Sequence, residues 1–236
     1  MPFSPLLPIV ILLGGALLLF SLRKLLSPSH LGLLAFLSLG VAFGFLLALR
    51  LGSPTTVLIP WPSVKEGSRL AFKAEGMGFL YALLLSFLAL IYAGVRLFLP
   101  VREGWAPLAG GLILVAGGLG FLFSQNPLAL YFGWGFLDLS IILAMGLSLT
   151  SGSLSSAMAG VAILNFLAGW ALFFSLLSGL SCSPILLLLA TWIRLAIYPA
   201  SLAYLVAEGL PSLAGGVFSL TTLAAGGYLL SLYSWP

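Results

Sequence analysis

Two ionisable side chains of opposite sign stand inside long apolar runs of this sequence. Asp138 lies in ALYFGWGFLDLSIIL (129–143) and Arg194 in TWIRLAIYPASLAYLVAEG (191–209). A charge at the centre of a hydrocarbon layer costs about 2.5–3.5 kcal/mol even on the lenient insertion scale, so such residues mark functional sites by default. Two chemistries are open to them. They can pass a proton or cation through apolar surroundings, or they can neutralise each other across a helix interface as a static pair that fixes packing. Pro199 follows Arg194 by five residues. It removes a backbone donor and clashes with the carbonyl one turn back, so its helix is expected to kink or break near that point. Broken helices beside charges occur in transporters, where freed backbone groups line a cavity. An ordinary proline kink is the plainer alternative.

The other polar residues have blander uses. His30 falls in a connection and reads as an exposed polar side chain. Glu75 and Glu208 sit at the edges of apolar runs and read as solvated ends. Asn165, Ser219, Thr221 and Thr222 can hydrogen-bond between helices. The pairs Gly110-Gly111, Gly117-Gly118 and Gly215-Gly216 permit close helix contact and have no P-loop context. One histidine and one cysteine in the chain cannot build a His cluster, a Cys metal site, an internal disulfide or a Ser/His/Asp set. The chain is therefore expected to have no active site of its own, and no haem, flavin, iron–sulfur or metal ligands.

The elements that hold these residues follow from composition. The 236 residues are 61% hydrophobic and 6% charged, with a mean hydropathy of +1.23; soluble domains carry about 25% charge. Apolar runs of 18 or more residues recur, each long enough to cross about 30 Å of hydrocarbon as a helix, and the period-two alternation of a β-barrel is missing. The expected fold is all-α: a polytopic membrane protein of about eight spans, near 4–22, 31–51, 77–99, 107–123, 128–149, 157–180, 184–206 and 212–233. One membrane domain, 1–236, is expected, with leading helices in 1–106 and a five-helix unit in 107–233. The first span is expected to be retained and not cleaved, since no basic residue precedes it and no small-x-small site follows.

Connections are short except 52–76, which holds three of the nine basic residues and two of the five acids and must lie outside the bilayer. Its TTVLIPWP and SRLAFKA segments suit a small β-hairpin. Arg23, Lys24, Arg96 and Arg102 oppose Arg50, Lys65, Arg69 and Lys73 across the layer; short loops weigh more, which favours both termini outside the cytoplasmic (inner) membrane. Trp61, Trp105 and Trp235 fall at span ends, where interfacial tryptophans belong. The net charge of +4 reads as topology and excludes nucleic acid as a partner.

Three segments in series resemble the antiporter-like membrane subunits of respiratory complex I, membrane-bound hydrogenases and Mrp-type cation/proton antiporters. PWPSVKEGSRLAFKAEGMGFLYALLLSFLALIYAGVRLF is similar to the region of helices two and three, with Phe72, Glu75, Gly76 and Met77 at the motif positions. NPLALYFGWGFLDLS is similar to the helix-five motif built on a Trp-Glu pair, with Trp134 and Gly135 in those places. RLAIYPASLAYLVAEGLPSLAGGVFSLTTLAAGGYLL is similar to helices seven and eight, with Arg194 on the lysine, Tyr198-Pro199 on the Phe-Pro pair, and Gly226 and Tyr228 on the later Gly and Tyr. The departures are chemical. The helix-five glutamate becomes Gly135, the lysine becomes Arg194, the histidine becomes Ser201, and the helix-eight titratable position falls near Phe218. The family has about fourteen helices in two inverted repeats, and this sequence matches the first repeat with its leading helices.

A proton relay needs groups that change charge, and arginine effectively cannot. Asp138 lies three residues from Gly135, about 4.5 Å along a helix, so it can reach toward Arg194 in place of the lost acid. The resemblance with these losses implies a shortened, degenerate antiporter-like subunit in an NADH-quinone oxidoreductase-like or antiporter complex. Its role there would be structural or coupling, among other membrane subunits and lipid. A half-length subunit conducting H⁺ or Na⁺ past Asp138 and Arg194 is the second reading. An unrelated small-solute transporter or assembly factor is the third.

Overall fold

The computed structural model describes residues 4–52, 55–60, 69–98, 104–148, 154–177, 184–195 and 213–233. Helices dominate: α1 (Leu7–Leu22), α2 (Pro28–Leu51), α3 (Gly76–Phe98), α4 (Trp105–Leu122), α5 (Pro127–Ser148), α6 (Leu154–Leu177), α7 (Pro184–Arg194) and α8 (Leu213–Tyr233). Between α2 and α3 lie two strands, β1 (Thr56–Pro60) and β2 (Arg69–Lys73). Proline opens α2, α5 and α7, where its missing N–H would be unbonded anyway. Gly76 takes φ +62° at the turn from β2 into α3, a conformation that costs glycine nothing.

Six helices are long and apolar enough to span a bilayer: Pro28–Leu51, Gly76–Phe98, Trp105–Leu122, Pro127–Leu147, Ala159–Leu176 and Leu213–Leu232. The other two are shorter. Helix α1 has 16 residues, about 24 Å at 1.5 Å per residue, and α7 has 11. The expected break at Pro199 lies outside the described residues, as do Tyr198, Ser201 and Glu208.

Helix α4 is the axis of the bundle. It is buried along nearly its whole length, as befits a helix that is apolar all round, and α1, α5 and α8 pack around it. Glycines set the closest of these approaches. A Cβ on Gly110 would come 3.2 Å from Ala144 Cα, and one on Gly133 would come 2.9 Å from Phe121 Cα. Small-residue contacts of this kind let helix backbones dock where lipid provides no hydrophobic drive.

The outer surface stays apolar. Val10 and Leu17 of α1, Leu80 and Ile91 of α3, and Ile163 and Phe166 of α6 are all exposed. A contiguous apolar exterior of this extent belongs in lipid and not in water. The chain is an integral, multi-pass, helical membrane protein.

β1 and β2 pair antiparallel in the register Thr56↔Lys73 to Pro60↔Arg69. β2 is strapped to the short α4–α5 connection. Lys73 N–H donates to Phe123 O (2.9 Å) and Gln125 N–H to Ala71 O (3.0 Å). The Asn126 amide donates to Arg69 O at 2.7 Å, while its Oδ1 accepts from Ala129 N–H at 2.8 Å. One side chain thus caps α5 and holds the hairpin to it.

Candidate functional site

Helix α5 turns Leu137 and Ile141 inward and Leu139 outward. Asp138 stands between those faces, one turn beyond Trp134. Trp134 is 1% exposed and is locked edge-on to Phe121, with centroids 5.8 Å apart and planes at 78°. Phe121 makes a second edge contact with Tyr228 of α8 at 5.7 Å, and the Tyr228 hydroxyl donates to Ser124 O at 3.0 Å. A chain of aromatic contacts therefore runs from α8 through α4 to the wall beside Asp138.

Arg194 ends α7 and is 0% exposed. Its Nη2 donates to Asp138 Oδ1 at 2.6 Å, and Nη1 donates to Asn165 Oδ1 of α6 at 3.2 Å. Its guanidinium carbon lies 3.9 Å from the centroid of a Trp134 ring. The planar cation is thus stacked on an indole and forked between a carboxylate and an amide, a geometry that lysine cannot reproduce. Three helices meet at this one charge. The assembly is electrically neutral, and removing either charge strands the other in an apolar interior.

A cavity of about 470 Å³ opens between α5 and α6, lined by Trp134, Gly135, Asp138, Asn165, Phe166 and Trp170 among others. The Asp138 side chain is 18% exposed and forms part of that wall. Gly135 is exposed, and a Cβ added there would meet nothing within 4 Å. The position that resembles the family's helix-five acid is therefore an open notch beside Asp138. A smaller cavity of about 250 Å³, between α1, the hairpin, α4 and α5, is apolar throughout.

The remaining candidates lie apart from this cluster. Glu75 is exposed beside the start of α3 and forms an ion pair with Lys73. His30 Nδ1 lies 2.7 Å from Ser27 Oγ on an exposed surface. Tyr198, Pro199 and Glu208 fall outside the described residues. Asn165 makes an interhelical hydrogen bond, as expected of it, with Arg194 as the donor; the role of Trp134 as the floor under the guanidinium escaped the sequence. The i, i+4 spacing of Trp134 and Asp138 puts both on one face; the pairing with Asn165 leaves no trace in spacing.

No family profile matches the sequence, and neither does any curated protein. Solved structures do. A chain of respiratory complex I from Thermus thermophilus, determined with bound aureothin, matches with a TM-score of 0.63 and 18% identity, covering 95% of this chain and 52% of that one. A chain of the membrane-bound sulfane sulfur reductase, an archaeal respiratory membrane complex, matches with a TM-score of 0.69 and 15% identity, covering 98% of this chain and 41% of that one. This chain spans about half or less of the solved chains it matches. The likeness is one of fold: these 236 residues form a helical membrane protein folded like chains of two respiratory membrane complexes.

Proposed function

We propose that the chain is a degenerate antiporter-like subunit of a multi-subunit, ion-translocating redox or antiporter complex. It carries the first half of that family's pattern as eight spans, with the seventh broken near Pro199 and both termini outside. Its task is to complete the membrane arm and hold neighbouring subunits in place, not to relay protons itself. The observation that carries this reading is the state of Arg194: fully buried, stacked and bonded to Asp138 and Asn165. A guanidinium keeps its proton, so the pair acts as a lasting tie between α5, α6 and α7.

The test is the double substitution Asp138→Leu with Arg194→Met in the intact complex, reconstituted in vesicles. Replacing a buried ion pair by apolar groups of similar volume is often neutral for stability, so assembly is expected to survive. Proton pumping should then match that of the unsubstituted complex. An assembled complex with pumping abolished would overturn the structural role.

One observation favours a second reading, conduction of H⁺ or Na⁺ past Asp138: the cavity reaches the carboxylate. Its predominantly aromatic and apolar lining speaks for the first reading. The same double variant separates the two, because conduction needs the carboxylate.

A further inference from the structure

The end of α1 carries a cation that no described residue neutralises. Arg23 is exposed, and its guanidinium carbon stands 4.2 Å from the Phe20 ring centroid and 5.0 Å from that of a Trp105 ring at the start of α4. The two rings meet edge to face, with centroids 5.4 Å apart, so the cation sits in an aromatic corner. Ring contacts engage its charge and not its N–H groups. Among the described residues the Arg23 side chain makes no hydrogen bond and no ion pair. The two described acids are taken elsewhere, Glu75 by Lys73 and Asp138 by Arg194. The fork of N–H donors on Arg23 thus awaits an acceptor from outside the chain.

Its surroundings select the acceptor. Lys24 follows and is exposed. Arg96 lies at the same end of the bundle, since a Cβ on Gly32, near the start of α2, would come 3.1 Å from Leu97 Cδ2. Leu13, Leu17 and Phe20 are exposed along one face of α1 that leads to this corner, and Leu25 on the following turn is exposed too. These apolar side chains belong among acyl chains, and the cations at their end belong at headgroup depth. Helix α1, with 16 residues and about 24 Å, is also short for about 30 Å of hydrocarbon, and a short span thins the bilayer around its flanking residues. A phosphate diester offers the acceptors that an arginine fork matches. With a second cation adjacent, a headgroup of net negative charge is favoured over a zwitterionic one. The rings hold the guanidinium in place beforehand, which lowers the ordering cost of binding.

We infer that the corner formed by Phe20, Arg23, Lys24 and Trp105 is a binding site for the phosphate of an anionic phospholipid, its oxygens accepting from the Arg23 guanidinium while its chains lie along the exposed face of α1. The inference is independent of whether the chain moves ions.

The full chain in detergent is titrated with phosphatidylglycerol, and separately with phosphatidylcholine, and the bound lipids are counted by native mass spectrometry. The first phosphatidylglycerol is expected to bind about tenfold more tightly than the first phosphatidylcholine, the effect of one hydrogen bond to a charged group. Arg23→Gln should erase that difference. Arg50→Gln, which removes the same charge at the far end of α2, should leave it intact. Trp105→Leu keeps every charge and should weaken the first binding by about threefold through loss of the ring, with Trp105→Phe restoring most of it. Inorganic phosphate at equal ionic strength should not displace the lipid. Equal binding of the two lipids, a preference that survives Arg23→Gln, or equal losses in the Arg23 and Arg50 variants would overturn the proposal. Displacement by inorganic phosphate would overturn the assignment to a lipid.

Discussion

The guanidinium carbon of Arg194 stands 3.9 Å from a Trp134 ring centroid, so the one cation of α7 rests on the α5 indole that lies one turn before its counter-ion. Sequence spacing explains half of this arrangement. Trp134 and Asp138 are four residues apart and share a face, so a cation reaching the carboxylate from α7 passes over the ring. The stack also shields the cation from lipid.

The pair should behave as a coupled unit. Arg194→Met alone leaves Asp138 charged and unbalanced, with an expected loss of about 3–5 kcal/mol. Combined with Asp138→Leu, most of that loss should vanish. Thermal midpoints in detergent check this: a deep drop for the single variant and near-normal melting for the double.

The stack itself can be weighed. Trp134→Leu keeps an apolar side chain but removes the ring under the cation and the edge contact with Phe121. The expected loss is about 3 kcal/mol, from a cation–π contact of up to about 2 kcal/mol when desolvated and an aromatic pair of about 1 kcal/mol. Trp134→Phe should recover roughly half. A denaturant titration of each purified variant gives the comparison.

Two glycines two residues apart should respond in opposite directions. A Cβ on Gly133 would come 2.9 Å from Phe121 Cα and 3.0 Å from Gly120 O, both backbone atoms, while one on Gly135 meets nothing. Gly133→Ala should destabilise by about 1–3 kcal/mol through overpacking. Gly135→Ala should stabilise by up to about 1 kcal/mol through helix propensity. Melting midpoints of opposite sign relative to the parent are the expected result. Gly135→Glu, which places an acid at that position, should fold for the same reason.

Asn126 ties two elements together. Asn126→Ala removes the cap on Ala129 N–H and the strap to Arg69 O, and about 1 kcal/mol should be lost. The more specific readout is amide hydrogen exchange, which should accelerate in Arg69–Lys73 while α4 stays protected.

Much of the scaffold was legible because a bilayer leaves a chain few choices. Apolar runs bounded by Pro, Ser and Gly had to be helices, and the charged segment between α2 and α3 had to leave them, where TTVLIPWP and SRLAFKA contain the two strands that pair. Helix length was less legible. α1 begins at Leu7 and has 16 residues, because the Pro5–Leu6 entry forms a turn where hydropathy alone continues the run. Around Asp138 the sequence reveals which residues are costly in lipid but not the company they keep. Asn165 joins Arg194 only because α6 packs beside α7, and that is tertiary information. The notch at Gly135 is equally silent in sequence, since Gly133 looks the same and is packed tight.

The central position of α4 bears on how the protein is made. Its neighbours α1 and α5 flank it early, but α8, which covers the remaining side at Gly111 and Gly118 through Leu213 and Thr221, is made only after α5, α6 and α7. Until then a seam of bare glycine faces the lipid or the insertion machinery. Completion of the bundle is thus a late, post-insertion event, and a nascent chain paused before Leu213 offers quality-control proteases an unfinished membrane domain.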